Sequence, residues 1–163
     1  MKIKTSILLL CLCTMTSFLF SLENDEEALK FVNLDLNGEY VFSKNFIGKS
    51  WVILDFFETD CKPCKKELPQ LEGLLEEFGE RGLKAILFAA DLEGPSLIKP
   101  YFRENPTTLT VLLDHYKVTT EKYGISVIPT VFLVNPEGMV VVKEEGYSEE
   151  SIMEMRGILN EAL

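Results

Sequence analysis

The sequence predicts an α/β domain: a central mixed β-sheet flanked by helices, with a β-hairpin added on the N-terminal side. Three observations carry this. Short apolar runs, alternating or continuous, take turns with stretches in which apolar residues recur every three or four positions. Strong turn sequences, Asn37-Gly38 and Asn135-Pro136-Glu137-Gly138, separate strand-like runs near the start and end of that pattern. The 163 residues suit one ordinary domain and leave little room for two.

Phe31 to Leu36 alternates, and Glu39 to Phe42 resumes the alternation beyond the Asn37-Gly38 turn. Trp51 to Phe57 is nearly continuous in apolar residues, as in a strand buried on both faces, and Asp55 interrupts it. From Pro63 onward, Leu68, Leu71, Leu75 and Phe78 repeat at helical spacing, and Gly79 and Gly82 end that helix. Leu83 to Ala90 is a second buried strand. Pro95 to Asn105 is a helix that Pro100 disturbs. Leu109 to Leu113 is a short strand, and Tyr116 to Tyr123 a helix stopped by Gly124. Thr130 to Val134 and Met139 to Lys143 flank the second turn. Ser148 caps a final helix with Glu149 and Glu150 in its first turn and Ile152, Met155, Leu159 and Leu163 along its apolar stripe.

Residues 1–21 differ from the rest. Lys2 and Lys4 precede an apolar run from Ile7 to Phe20, no acid occurs, and Glu23, Asp25, Glu26 and Glu27 follow. Basic start, apolar middle and polar exit make a secretory signal, cut after Ser21. The run is short of the about 20 residues that a membrane span needs, yet a retained N-terminal anchor stays open. Anchoring through a lipid on Cys11 or Cys13 lacks the small preceding residue, since Leu10 and Leu12 stand there. Residues 22–30 are expected to be an acidic, frayed segment, and 31–163 the folded domain. The implied location is exported, periplasmic or otherwise extracytoplasmic.

The chain carries 26 Asp+Glu against 16 Lys+Arg. No basic stripe exists to neutralise phosphates, which excludes a nucleic-acid binder. Beyond residue 21 two cysteines remain, Cys61 and Cys64. So close a pair staples no large loop.

Cys61-Lys62-Pro63-Cys64 falls between a buried strand and the start of a helix. Two intervening residues in a first helical turn bring the sulfurs within disulfide reach. Unpaired N–H groups at a helix N-terminus favour a thiolate at Cys61, lowering its pKa below the free value of about 8.5. Lys62, Lys65 and Lys66 add local positive charge, and Pro63 stiffens the turn at no hydrogen-bonding cost. Cys61 is then the exposed nucleophile. Cys64, one turn in, resolves the mixed disulfide and needs a nearby base.

Asp55 to Cys64, with Pro69, resembles the active-site region of thioredoxins, and Ile128-Pro129-Thr130 resembles their cis-proline loop. With the leading hairpin and the closing Asn135–Gly138 turn, residues 30–160 are similar to the exported TlpA/ResA-type thiol–disulfide oxidoreductases. The resemblance implies a thioredoxin fold and a protein disulfide reductase, its only redox group the Cys61–Cys64 disulfide, with no separate cofactor and no metal. It implies that Pro129, cis after Ile128, lies against the disulfide and offers its neighbour's backbone to a bound peptide, and that Pro69 kinks the active-site helix. It implies protein disulfide or dithiol substrates, a membrane electron donor, and a monomer. Asp55 stands where thioredoxins keep a buried acid. Glu93 or Asp91 stands near where the TlpA-like branch places a second acid.

Two departures bear on tuning. Asp60 takes the place of the aromatic residue usual before the first cysteine, and its charge opposes a Cys61 thiolate. Phe57 takes the place of the usual Trp. Two rival readings use the same residues. A thiol peroxidase on this scaffold calls for Pro and Thr upstream of the attacking cysteine, where this chain has Glu58-Thr59-Asp60. A Cu(I)-binding module calls for His115, the only histidine, to meet the cysteines.

Overall fold

A computed structural model describes residues 26–163; residues 1–21, expected from the sequence to be a signal or anchor, lie outside the described residues with Cys11 and Cys13. The order of elements is β1 (Val32–Asp35), β2 (Tyr40–Phe42), β3 (Val52–Phe57), α1 (Lys62–Phe78), β4 (Lys84–Ala89), α2 (Pro95–Glu104), β5 (Thr110–Leu113), α3 (Val118–Lys122), β6 (Thr130–Val134), β7 (Val140–Glu145) and α4 (Glu149–Ala162). The strands form one sheet in the order β2-β1-β5-β4-β3-β6-β7. β3, β4 and β5 run parallel, while β6, β7, β1 and β2 pair antiparallel to their neighbours. This is the thioredoxin fold with a hairpin appended at one edge.

Period-two alternation sorts the residues of β3. Ile53, Asp55 and Phe57 face α1, α2 and α4; Leu54 and Phe56 face the opposite layer with Phe31, Phe46 and Tyr123. All six residues of β3 are buried, so both faces of the strand lie in the core. On α1 the inward stripe is Cys64, Glu67, Leu71, Leu74 and Phe78. Leu71, Leu74 and Phe78 are wholly buried, each contributing about 1.5–3 kcal/mol in area bookkeeping. Leu68 and Leu75, expected on that stripe, are only half-buried at its edge.

The β1–β2 turn closes through the Asp35 carboxylate, which accepts from the Asn37 and Glu39 N–H groups at 2.8 and 2.9 Å. Gly38 takes φ +89°, open to it for want of a Cβ. Pro100 lies inside α2 without ending it. α3 starts later than expected, because Lys117 sits in the left-handed region at φ +55° and the buried Asp114 carboxylate caps the N–H groups of Thr119 and Thr120. The expected fraying of 22–30 fails over Glu26–Lys30. Ala28 donates to Gly138 O, Val140 donates to Glu26 O, and the Ala28 side chain is buried beside Phe31. The buried Ala28 side chain, the partly buried Leu29 and two backbone bonds fasten this stretch beside the β6–β7 turn despite its charge.

Candidate functional site

β3, β4 and β5 all end at one rim of the sheet, where α1 begins and the loop before β6 returns. Cys61 is the N-cap of α1, with extended backbone (ψ 108°), and its Sγ accepts the Cys64 N–H at 3.1 Å. A sulfur thus takes the place a serine oxygen takes at an ordinary N-cap. Lys62 and Pro63 occupy the first turn and are exposed. The cysteines form a disulfide, S–S 2.02 Å, with Cα atoms 5.3 Å apart. Cys61 is half-buried and Cys64 wholly buried, so only the first sulfur faces outward.

The Ile128–Pro129 bond is cis, and the Ile128 carbonyl oxygen lies 3.8 Å from Cys61 Sγ. The loop is pinned on both sides: Thr130 Oγ1 donates to Val127 O at 2.7 Å, and Gly146 N–H donates to Pro129 O at 2.7 Å. Pro129 is buried, Ile128 half-buried and Val127 exposed. Asp60 is exposed beside Cys61, and Glu58 pairs with Lys117 at 2.8 Å.

Asp55 is 0% exposed, and neither carboxylate oxygen has a hydrogen-bond partner. Burial pushes it up to about 7. Glu93, in contrast, is exposed and does not enter the site. Asp91, the other candidate, turns inward, but its Oδ1 is taken by the Thr59 N–H and hydroxyl at 2.8 and 2.6 Å. It braces the turn ahead of Cys61.

Glu67 was missed by sequence reasoning. It is 0% exposed with both oxygens unpartnered, and lies one helical turn beyond Cys64 on the same inward stripe. Residues so spaced hold their Cβ atoms about 5–6 Å apart. Burial chiefly, and then the nearby Asp55 and Glu144 charges, push it up to about 9. The signal lay in phase: stepping back from Phe78 through Leu74 and Leu71 lands on Glu67 or Leu68 before Cys64. Two buried, unpaired acids therefore sit on the sheet face and helix stripe that also hold Cys64. Such a pair takes up and returns protons one at a time.

Residues 25–143 match the model of the AhpC/TSA family. The chain is 31% identical over 157 residues to the thiol-disulfide oxidoreductase ResA of Bacillus thuringiensis, covering 91% of this chain and 90% of that one. It is 30% identical over 159 residues to ResA of Bacillus subtilis, covering 93% and 88%. Among solved structures, the thioredoxin domain of a thiol-disulfide oxidoreductase from Bacteroides vulgatus superposes with a TM-score of 0.72 at 27% identity, covering 85% of this chain and 99% of that one. StoA from Bacillus subtilis superposes at 0.65 and 24% identity, covering 79% and 95%.

Proposed function

We propose, since the chain belongs to the AhpC/TSA family and is a thiol–disulfide oxidoreductase of the ResA type, that it works outside the cytoplasm as a reductase of protein disulfides. The observation that carries the mechanism is the asymmetry of the pair: one sulfur at the rim, the other buried on the α1 stripe that holds Glu67, against the sheet face that holds Asp55.

The reduced Cys61 sulfur, stabilised as thiolate by the Cys64 N–H and the helix N-terminus, attacks a target disulfide. One target sulfur leaves as a thiolate, and a mixed disulfide joins Cys61 to the other. The Ile128 carbonyl is placed to receive a backbone N–H of the target alongside the reacting sulfurs. Cys64 gives its proton to Asp55, attacks Cys61 Sγ and expels the second target thiolate. The enzyme ends as the disulfide, and the target gains two electrons and, from solvent, two protons. Glu67, holding its own proton more tightly, keeps the pair from carrying two charges at neutral pH.

The dithiol is restored by an electron donor in the membrane, with no cofactor beyond the two cysteines, and the enzyme acts as a monomer. Lys2, Lys4 and the apolar run from Ile7 to Phe20 support export. Among the described residues no helix is long and apolar enough to cross a membrane.

Dithiol-driven insulin reduction tests the reading. Wild type accelerates it and Cys61→Ser does not; equal rates overturn it. The equilibrium potential in glutathione buffers tests direction: a value near about −270 mV fits a reductant, and one near about −120 mV an oxidant.

A further inference from the structure

The mechanism leaves a proton on a buried pair once per turnover, and a buried pair needs a way to lose it. The register of the sheet supplies a candidate. Asp55 on β3 lies directly opposite Val131 on β6, and Val131 directly opposite Glu144 on β7. Directly opposed residues share a face, so Asp55 and Glu144 stand in one row, two strand spacings or about 10 Å apart. Val142, two residues before Glu144 on β7, lies in the same core layer as Val131 and Leu133, which fixes the row on the α1 side. Glu67, wholly buried on the inward stripe of α1, feels the charges of both Asp55 and Glu144.

Glu144 is half-buried on the outermost strand, between solvent and the wholly buried Glu67 and Asp55. Its neighbours Lys143 and Glu145 point to the opposite face, where Lys143 Nζ lies 5.8 Å over the Phe132 ring and pairs with Glu145. The other groups bearing on this region are Tyr147, in the β7–α4 loop, and Glu149 and Glu150 at the start of α4, which act on Tyr147. Arg156 of α4 is paired with Glu77, and Lys65 of α1 lies 5.5 Å over Tyr101. Among the described residues no cation pairs with Asp55, Glu67 or Glu144. The row has the composition of a proton path and lacks that of an ion-pair network.

We propose that Glu144 is the proton port of the buried acid pair, passing protons between solvent and Glu67–Asp55 in each redox cycle. The inference rests on the reductase mechanism above. When Cys64 is deprotonated, its proton goes to the Asp55 carboxylate, then by way of Glu67 to Glu144 and to water. When the donor reduces the Cys61–Cys64 disulfide, the departing Cys64 thiolate takes a proton that travels the same row inward. No electron moves along it.

The test uses reduced full-length protein mixed rapidly with a model disulfide peptide, with formation and decay of the mixed disulfide followed against pH in dilute buffer. Glu144→Gln is expected to leave formation unchanged and slow decay about tenfold near neutral pH, less than the about hundredfold of a lost direct base. Raising the concentration of a small buffer base such as imidazole, which can take the outgoing proton, should restore the rate, as no structural defect would be restored. Glu145→Gln, on the opposite face, should behave as wild type.

Wild-type decay in Glu144→Gln overturns the proposal. So does a slow decay that buffer leaves unchanged, or a buffer-restored defect in Tyr147→Phe with none in Glu144→Gln. A wild type that forms no mixed disulfide fails the reductase reading itself, a separate outcome.

Discussion

Replacing Glu67 by Gln should change how stability depends on pH. Burial holds the Glu67 pKa at about 9 in the folded state, against 4.5 for an ordinary glutamate. The folded state therefore keeps a proton that the unfolded chain releases. Stabilisation from such a raised group is complete below about 4.5 and is lost as pH rises through the folded value. Each such proton lowers the unfolding free energy by about 1.4 kcal/mol per pH unit within that window. Between about pH 6 and about pH 8, Glu67 alone then contributes a loss on the order of 2–3 kcal/mol. Gln is close in size to the protonated acid and cannot ionise. Urea unfolding of oxidised wild type and Glu67→Gln at steps across that range should give similar stabilities at the acid end, with the variant gaining on wild type as pH rises. Asp55 adds its own, lower-lying pH dependence, and because the two carboxyls interact, the difference between the curves reports Glu67 together with its coupling to Asp55. Parallel curves would refute the claim that Glu67 is folded away protonated.

Asp55→Asn should slow decay of the mixed disulfide far more than its formation, by about 100-fold or more as for a lost general base, and the mixed disulfide should accumulate on non-reducing gels; unchanged decay removes Asp55 as the base. Asp60→Asn removes a negative charge beside Cys61 and should lower the Cys61 pKa, read as thiolate absorbance against pH; no shift would mean the carboxylate points away from the sulfur. Gly94→Ala should cost about 1–3 kcal/mol in urea unfolding, because Gly94 sits at φ +64° and an added Cβ would fall 3.0 Å from the His115 ring; an unchanged midpoint would mean that the loop moves freely.

Legibility followed the range of the interaction. β3, β4 and β6 are short apolar runs buried on both faces, a local signal, and the strands fall where those runs do. Cys61, Cys64, Ile128 and Pro129 belong to local motifs, and the fold brings the two motifs together at one rim. The acids were harder. Asp55 stands out because one carboxylate breaks an apolar strand. Glu67 follows Lys65 and Lys66 in a charged run that suggests a solvated face, and only the phase of the helix, set by packing of Leu71, Leu74 and Phe78, turns it inward. Glu93 and Asp91 lie in a loop without a period, so which of them turns inward was decided by the hydrogen bonds from Thr59. Glu26–Lys30 has a solvated composition, and its attachment depends on partners more than 100 residues away.

The two unpaired carboxylates are hard to explain as structure. A buried carboxylate without donor or cation opposes folding, and neither acid receives a hydroxyl such as those Thr59 and Thr120 give to Asp91 and Asp114. Leucine at position 67 would continue the stripe of Leu71 and Leu74 and extend the core. A pair whose members hold protons at different strengths does, however, suit a neighbour that must lose a proton in one half of a cycle and regain it in the other. Cys64 is such a neighbour: it is wholly buried and one helical turn from Glu67. A single acid would have to match the thiol in both directions. With two, Asp55 accepts from Cys64 while Glu67 remains neutral, and the local charge changes by no more than one. The loss of stability with rising pH and the speed of resolution then have one origin, and a variant that gains stability by filling this region with apolar atoms should lose turnover in proportion.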